Sequence, residues 1–446
     1  MRQYRARSAA RAGVSWRVHS GERIYEAAVR AAVPALRLAA PLNERLRRGV
    51  RGRRAALQSL GEWSRASRDR GRPLVWLHAP SVGEALMAQA ILAETRDREP
   101  SIQTIFTHFS PSAERIAPRV GADWHGYLPW DRTADVGTAL AATAPACIAF
   151  VRTEIWPVLG REAAARGSAV VMVNGVLAPD SSRLGRGARL LLGAAYRRLD
   201  AVGVVSEEDA ACFSLLGIPR TKLSVTGDAR FDQVWQRARR LDRDRPLLRP
   251  FRAAGRPWLV AGSTWPADDE RIIDALARSR SWRCVIAPHE PAADPLAHLE
   301  DRLARAGLSY TRLPTDDDAG AVDLAVDVVV VDRVGVLADL YAIADLAYVG
   351  GGFGTSGLHS VVEPAALGVP VLYGPRHGNA REAERLRVAG GGFVIDDAAA
   401  LHSLLARLFG DDRARAHAGA AARRFVEQHL GGAAASAELI AHALRG

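Results

Sequence analysis

From about residue 73 the chain alternates short apolar runs with longer stretches of helical periodicity, the pattern of βαβ units that feed a parallel sheet. Leu74 to Leu77, Thr104 to Thr107, Ala146 to Val151, Ala169 to Val173, Ala201 to Val204 and Leu223 to Val225 predict the strands of a first sheet. A second series, Trp258 to Ala261, Arg283 to Ala287, Val326 to Val331, Leu346 to Val349 and Val369 to Leu372, repeats the alternation, with Gly or Pro after most strands. Phe231 to Arg252, dominated by Arg, Asp, Leu and Pro, has little strand character and reads as the connection between two domains. Residues 311–323 form an acidic, turn-rich insert (Asp316, Asp317, Asp318, Gly320) expected to be a surface loop. The tail from Ala399 reads as helices, the last of them able to return and brace the first domain. The expected division is a basic amphipathic segment 1–72, a first Rossmann-like domain 73–230, a linker 231–252 and a second Rossmann-like domain 253–446. Two facing doubly wound domains with a cleft between them is the simplest assembly.

Upstream of the sheets, Tyr25, Val29, Val33 and Leu36 recur at three- and four-residue spacing, while Glu26, Arg30 and Arg37 interrupt any apolar run long enough to cross a bilayer. Arginines cluster on both sides: Arg2, Arg5, Arg7, Arg11 and Arg17 before, Arg45, Arg47, Arg48, Arg51, Arg53 and Arg54 after. Such a helix either lies in the interface of an anionic leaflet, bent at Pro34 or Pro41, or packs on the body of the protein. No cleavable signal peptide is evident.

With 446 residues and 48% hydrophobic content the chain can bury two cores of ordinary size, which excludes disordered and fibrous classes. Cys147, Cys212 and Cys284 show no paired spacing for zinc or a disulfide framework, which fits a reducing compartment. The net charge of +11 suits an anionic partner. Its arginines are spread along the whole chain without an aromatic ladder or zinc-finger spacing, so nucleic acid is not the expected partner.

The chemistry concentrates where strands empty into turns. Leu74-Val75-Trp76-Leu77-His78-Ala79-Pro80-Ser81-Val82-Gly83-Glu84 is an apolar strand, then a small-residue turn, then one carboxylate opening a helix. A carboxylate at the carboxyl end of a strand sits where open α/β sheets place ligands, and Glu84 there is either a general base or a plain first-turn cap. Val151-Arg152-Thr153-Glu154-Ile155-Trp156-Pro157 repeats the logic, so Glu154 is expected to start a helix and to face the same cleft, as orienter of the base or holder of substrate hydroxyls. In the second half, the loop Gly350-Gly351-Gly352-Phe353-Gly354-Thr355-Ser356-Gly357-Leu358-His359 follows a strand and allows backbone N–H groups to approach a phosphate. Glu363, one turn further, offers two acceptor oxygens to a ribose diol, or is a solvated helix carboxylate. Ser263 and Thr264, after the first strand of the second series, are phosphate contacts or helix caps, and His289 lies at the same rim. His78, His108 and His125 lack metal-ligand spacing, and no metal is expected.

These stretches resemble, in order, the 3-deoxy-D-manno-octulosonic acid (Kdo) transferases of Gram-negative bacteria, from about residue 22 to the C-terminus. The likeness is carried by Trp76-Leu77-His78-Ala79 with Ser81-Val82-Gly83-Glu84, Tyr127-Leu128-Pro129-Trp130-Asp131, Thr153-Glu154-Ile155-Trp156-Pro157, Val173-Asn174-Gly175, Thr226-Gly227-Asp228 with Phe231-Asp232, Ala261-Gly262-Ser263-Thr264 and the Gly351 to Pro364 loop. The resemblance implies a GT-B fold, with an acceptor domain first and a domain for CMP-Kdo second. It also implies an inverting, metal-independent transfer, without a cofactor, of Kdo to a lipid A precursor (lipid IVA) at the cytoplasmic face of the inner membrane. In those terms Glu84 matches the general base and Glu154 the second carboxylate, with Ser81 and Gly83 on the acceptor side. Ser263, Thr264, His289, Gly351, Gly352, His359, Glu363 and Arg230 match the donor side. The arginine-flanked N-terminus would then meet an anionic membrane surface.

Departures from the family pattern are specific. Arg152 stands where many members have a Glu, Val158 replaces an Asn, His289-Glu290 replaces a basic residue, Ser360 an Asn, and Arg230 a Lys. Two other readings follow. One is a GT-B transferase or epimerase that uses a UDP-sugar. The other, motivated by Arg152 and Ser360, is a membrane-surface binding homologue that has lost turnover.

Overall fold

The computed structural model describes residues 18–252, 255–314 and 325–445. The chain divides into two compact units, Met1–Gln233 with Leu430–Gly446, and Val234–His429. Each is built on a seven-stranded, wholly parallel sheet. The arginines at 2 to 17 and the acidic run at 316 to 320 lie outside the described residues.

In the first unit the strands are β1 (Leu74–His78), β2 (Gln103–His108), β3 (Trp124–Tyr127), β4 (Cys147–Val151), β5 (Ala169–Gly175), β6 (Ala201–Val204) and β7 (Leu223–Val225), in the order β3-β2-β1-β4-β5-β6-β7. The central strands are buried on both faces, which is why they read as continuous apolar runs. One core layer gathers Trp76, Ile148, Phe150 and Met172, the other Val75, Leu77, Ala149 and Val171. Strand order reverses direction at β1 and β4, which pair through His78 and Phe150. A crevice opens beyond the carboxyl ends of such a pair.

The second unit contains β8 (Trp258–Thr264), β9 (Arg283–Pro288), β10 (Tyr310–Arg312), β11 (Val328–Val330), β12 (Leu346–Val349), β13 (Val371–Tyr373) and β14 (Gly392–Val394), ordered β10-β11-β9-β8-β12-β13-β14. Its switch lies between β8 and β12, where Gly262 faces Val349. Thr311 and Arg312, read from sequence as part of a loop, belong to β10.

One sequence expectation changes. The supposed linker is largely helical: a helix spans Ala229–Arg240, a 3₁₀ turn Pro246–Leu248 and a short helix Arg249–Arg252, and the unit boundary falls inside the first of these. Of the C-terminal helices, Ala398–Gly410 and Asp412–Gln428 stay with the second unit. The last, Gly432–Arg445, packs on the Val82–Arg98 helix of the first through Ala433, Ala437 and Ile440.

The N-terminal helices Ser20–Ala39 and Glu44–Ser67 pack on the first unit. Glu22 is fully buried against Arg198, and Glu26 accepts from Thr133 at 2.5 Å and Arg161 at 3.1 Å. Gly21 is required by this fit, since a Cβ there would stand 1.9 Å from the Leu190 carbonyl oxygen. Pro34 is accommodated within the first helix, while Pro41 falls in the 3₁₀ turn Ala40–Leu42 that separates the two. The opposite side leaves Ile24, Leu38 and Leu42 exposed at 54%, 82% and 89%. No helix among the described residues is long and apolar enough to cross a membrane.

Candidate active site

At the first switch point Ala79 and Pro80 carry the chain out of β1, Ser81 precedes the Val82–Arg98 helix, and Glu84 stands in its first turn, half-buried. The Ser81 hydroxyl donates to Glu84 Oε2, so the carboxylate is held by its own turn, and no side chain caps a backbone N–H at this helix start. A Cβ on Gly83 would touch nothing within 4 Å, so the turn leaves open space beside Glu84.

Glu154 follows β4, the strand beside β1. It does not start a helix as expected: the helix begins at Pro157, and Glu154 sits in the preceding turn. That turn is fixed from three sides. Tyr196 donates to the Thr153 carbonyl at 2.8 Å, the Thr153 hydroxyl donates to the Val176 carbonyl, and Asp131 accepts from Val158 N at 3.0 Å and Leu159 N at 2.8 Å. Burial pushes the Glu154 carboxyl above its ordinary range, Arg183 opposes this, and the nearby charge of Glu84 adds to it. Its Oε2 is buried and has no hydrogen-bond partner. The two carboxylates therefore sense each other, and burial and like charge both work against the ionised form of Glu154.

The two turns are joined beneath by a polar chain. Trp156 Nε1 donates to His78 Nε2 at 2.9 Å, which leaves Nδ1 as the protonated nitrogen facing the Thr107 hydroxyl at 3.0 Å. Trp76 Nε1 donates to the same hydroxyl at 2.8 Å. His78 is fully buried, and burial lowers its pKa to about 3, so it stays neutral and acts as a strut. Phe109, after β2, stacks on Trp156 with ring centres 5.0 Å apart.

At the second unit's switch point the structure brings together Ser263, Thr264, His289, Gly351, Gly352 and His359. Ser263 has φ +53, and His289 N donates to the Thr264 carbonyl at 2.9 Å. Trp265 stacks on His289 at 4.9 Å, and His289 lies 4.4 Å from the His359 ring. Burial, and then His289, hold His359 below the usual histidine range. Gly351 has φ +97, and a Cβ on it would stand 2.1 Å from the Gly357 carbonyl oxygen. Its N–H is not free for a phosphate, contrary to the loop's sequence reading: it donates to Asp268 Oδ2 at 2.9 Å. Asp268 also accepts from Tyr348 at 2.6 Å and from Trp265 N at 2.9 Å, so one buried carboxylate fixes the loop. Asn379 holds its far end, accepting from Leu358 N and donating to the Leu358 carbonyl, both at 2.9 Å.

The other two predicted donor residues fall one in each unit. Arg230 belongs to the first unit and pairs with Asp228 at 2.8 Å. Glu363, in the short Val362–Ala366 helix, is held above the usual carboxylate range by burial, with Arg237 opposing and Asp339 adding.

The model of the 3-deoxy-D-manno-octulosonic-acid transferase (kdotransferase) family matches residues 40–233. A 3-deoxy-D-manno-octulosonic acid transferase of Bordetella pertussis is 28% identical over 80% of this chain and 84% of its own length. One from Haemophilus influenzae is 26% identical over 70% and 73%. Over most of its length the chain is similar to Kdo transferases. The fold is shared with a UDP-GlcNAc 2-epimerase from Neisseria meningitidis, at a TM-score of 0.58 and 12% identity over 83% of this chain and 99% of that one. A glycosyltransferase from Rickettsia africae gives 0.56 and 12% over 83% and 98%. Both speak to fold, which is GT-B with two Rossmann-like units. Sequence reading missed the positioning roles of His78, Thr107, Asp268 and Asn379. Only Asp268 carried a local signal, a carboxylate at the third position of the helix after Trp265.

Proposed function

We propose that this glycosyltransferase moves Kdo from CMP-Kdo to a lipid A precursor with inversion at the anomeric carbon, and that Glu84 is its general base. Glu84 takes the proton of an acceptor hydroxyl. The hydroxyl oxygen forms the new bond to the anomeric carbon as the bond to the cytidylate phosphate oxygen breaks, and CMP departs with the electron pair. Glu154, on the adjacent strand's turn, orients the acceptor and the base. In the second unit Ser263, Thr264, Gly352, His289 and His359 hold the donor phosphate and base, Gly351 gives the loop its shape, and Glu363 accepts from the ribose. Arg230 sets the charge at the first unit's rim.

The observation that carries the reading is the mounting of Glu84: a carboxylate on an open turn at a strand switch point, with a second carboxylate of raised pKa on the adjacent strand's turn. The relatives' names supply the sugar. Exposed Ile24, Leu38 and Leu42 beside the arginines of the first two helices support peripheral attachment to an anionic membrane, the inner membrane's cytoplasmic face, where a lipid acceptor resides.

The test is purified protein with CMP-Kdo and lipid IVA, with product read by mass spectrometry and CMP release. Glu84→Gln should lower turnover by about 10²–10⁴-fold, the usual contribution of a general base, with unchanged circular dichroism and melting. Turnover at the wild-type rate in that variant removes Glu84 from the role. Calorimetry in which UDP outcompetes CMP would replace the donor assignment.

A further inference from the structure

The first unit holds a cavity that the transfer chemistry does not use. It has a volume of about 530 Å³ and lies against the Glu44–Ser67 helix, the end of the preceding helix and the segment after β3. Arg37, Arg51, Arg53 and Arg54 line it. Its one acid, Asp135, is already engaged by Arg132 at 2.6 Å. Val50, Leu57 and Trp130 supply apolar wall.

Arg53 is the decisive residue. It is only 5% exposed, and the groups its guanidinium meets are aromatic rings and backbone carbonyls. Its guanidinium lies over the rings of Phe109, Trp130 and Tyr127 at 4.2, 4.5 and 5.2 Å. Nη1 donates to the Gly49 carbonyl at 3.0 Å, Nη2 to the Phe109 carbonyl at 3.1 Å, and Nε is buried with no partner. Aromatic faces and carbonyls soften a buried cation without neutralising it, and a buried charge lacking its opposite is costly. Burial lowers the Arg53 pKa to about 10, which still leaves the side chain charged at neutral pH. Arg37, Arg51 and Arg54 have no acidic partner among the described residues.

We propose that this cavity binds a phosphate group carried on a lipid headgroup. Guanidinium forks match phosphate oxygens, and Arg37, Arg51 and Arg54 line the cavity beside the buried Arg53 charge. Leu38, next in sequence to the lining residue Arg37, is exposed, as is Leu42 in the turn that follows, which suits a ligand with an apolar continuation. The cavity adjoins the acceptor side of the first unit: Phe109, whose carbonyl meets Arg53, donates its N–H to the Pro80 carbonyl at 3.3 Å, immediately before Ser81. The proposal rests on the preceding reading only in taking the ligand to be a lipid, and its test makes no use of transfer.

Full-length protein is sedimented with phosphatidylcholine vesicles, with the same vesicles containing phosphatidate, and with vesicles carrying cholesteryl hemisuccinate at matched surface potential. Binding to phosphatidate vesicles should be about tenfold tighter than to the carboxylate vesicles, the scale of one or two arginine contacts at a membrane surface. Arg51→Gln with Arg54→Gln should abolish that preference while leaving melting unchanged. Arg45→Gln with Arg65→Gln, on the same helix and outside the cavity lining, should keep it. Equal binding to both charged vesicles, or equal loss in the two double variants, would mean diffuse surface charge and overturn the proposal. Calorimetric binding of inorganic phosphate to a protein that ignores phosphatidate vesicles would overturn the lipid source. Failure of Kdo transfer with the preference intact would touch only the preceding reading.

Discussion

The N-terminal helix should be clasped to the body by a buried ion pair whose loss is read directly in stability. Glu22 has no solvent exposure and Arg198 has 5%. Arg198 Nη2 donates to Glu22 Oε2 at 3.1 Å, Nη1 donates to Oε1, and His19 N donates to Oε2 at 3.2 Å. Glu22→Gln keeps the shape and strands the Arg198 charge in the interior. Breaking one side of such a pair costs about 3–5 kcal/mol. For a unit of this size each kcal/mol moves the midpoint by about 2–4 °C, so the first unit's melting should fall by roughly 6–20 °C. Replacing both partners, Glu22→Met with Arg198→Met, removes the stranded charge and should return most of the stability, because apolar pairs of similar volume substitute well for buried ion pairs.

Thermal melts give the size of the effect, and hydrogen exchange at residues 20–39 and 186–198 gives its place. Equal losses in the single and double variants would refute the reasoning, since the cost would then lie in lost contacts and not in an uncompensated charge. A Glu22→Gln midpoint within about 1 °C of wild type would refute it outright. The sign with pH follows from the same geometry. Burial raises the Glu22 pKa, but the bond to Arg198 and its charge outweigh it, and the folded value lies below the ordinary 4.5. The clasp's stability is therefore fully present above that ordinary value and disappears as pH falls through the folded one.

Two substitutions separate shape from chemistry at the site. Asp268→Asn should weaken the clamp on the Gly351 N–H and the Tyr348 hydroxyl, raising the donor KM several-fold and costing about 1–3 kcal/mol of second-unit stability by leaving buried donors poorly satisfied. An unchanged donor KM would detach Asp268 from the loop's function. Gly83→Ala meets open space in a helical first turn and should leave melting unchanged or raise it by about 1 kcal/mol equivalent. Lower turnover in that variant, with a raised acceptor KM and an unchanged donor KM, would identify the space as room for the acceptor; unaltered kinetics would show that the space is not used.

What the sequence revealed follows burial. Strands shielded on both faces, such as β1, β4 and β5, announce themselves as unbroken apolar runs. The strands not anticipated, β3, β10 and β14, are all sheet edges. Their sequences Trp-His-Gly-Tyr, Tyr-Thr-Arg and Gly-Phe-Val are short and carry polar or missing side chains where one face meets solvent. Glu84 and Glu154 were legible because a strand end and a turn are local features. The supports were not, because they reach far along the chain: Asp268 meets residues 348 and 351, and His78 meets Trp156. The Arg, Asp and Leu of the stretch after Phe231 mislead in another way, since a strongly amphipathic surface helix and a polar connection share composition and differ only in period.

Arg152, which motivated the reading of an inactive homologue, has a place in this scaffold. Its backbone adopts φ +78, a conformation that costs a non-glycine residue on the order of 1 kcal/mol, and its N–H donates to the Val173 carbonyl at 3.0 Å. The guanidinium then lies 3.9 Å from Asp228, which also binds Arg230 at 2.8 Å and accepts from Asn174 at 3.4 Å. Asp228 is buried, and Arg230 with Arg152 outweigh that burial to hold its carboxyl below the ordinary range. A Glu at position 152, as many family members carry, would face this carboxylate with like charge. With arginine the same position ties the turn that bears Glu154 to the segment after β7. The departure reverses one charge at the rim while Glu84, Glu154 and the struts beneath them stay in place, so it argues for a changed electrostatic setting around the same two carboxylates and not for their loss.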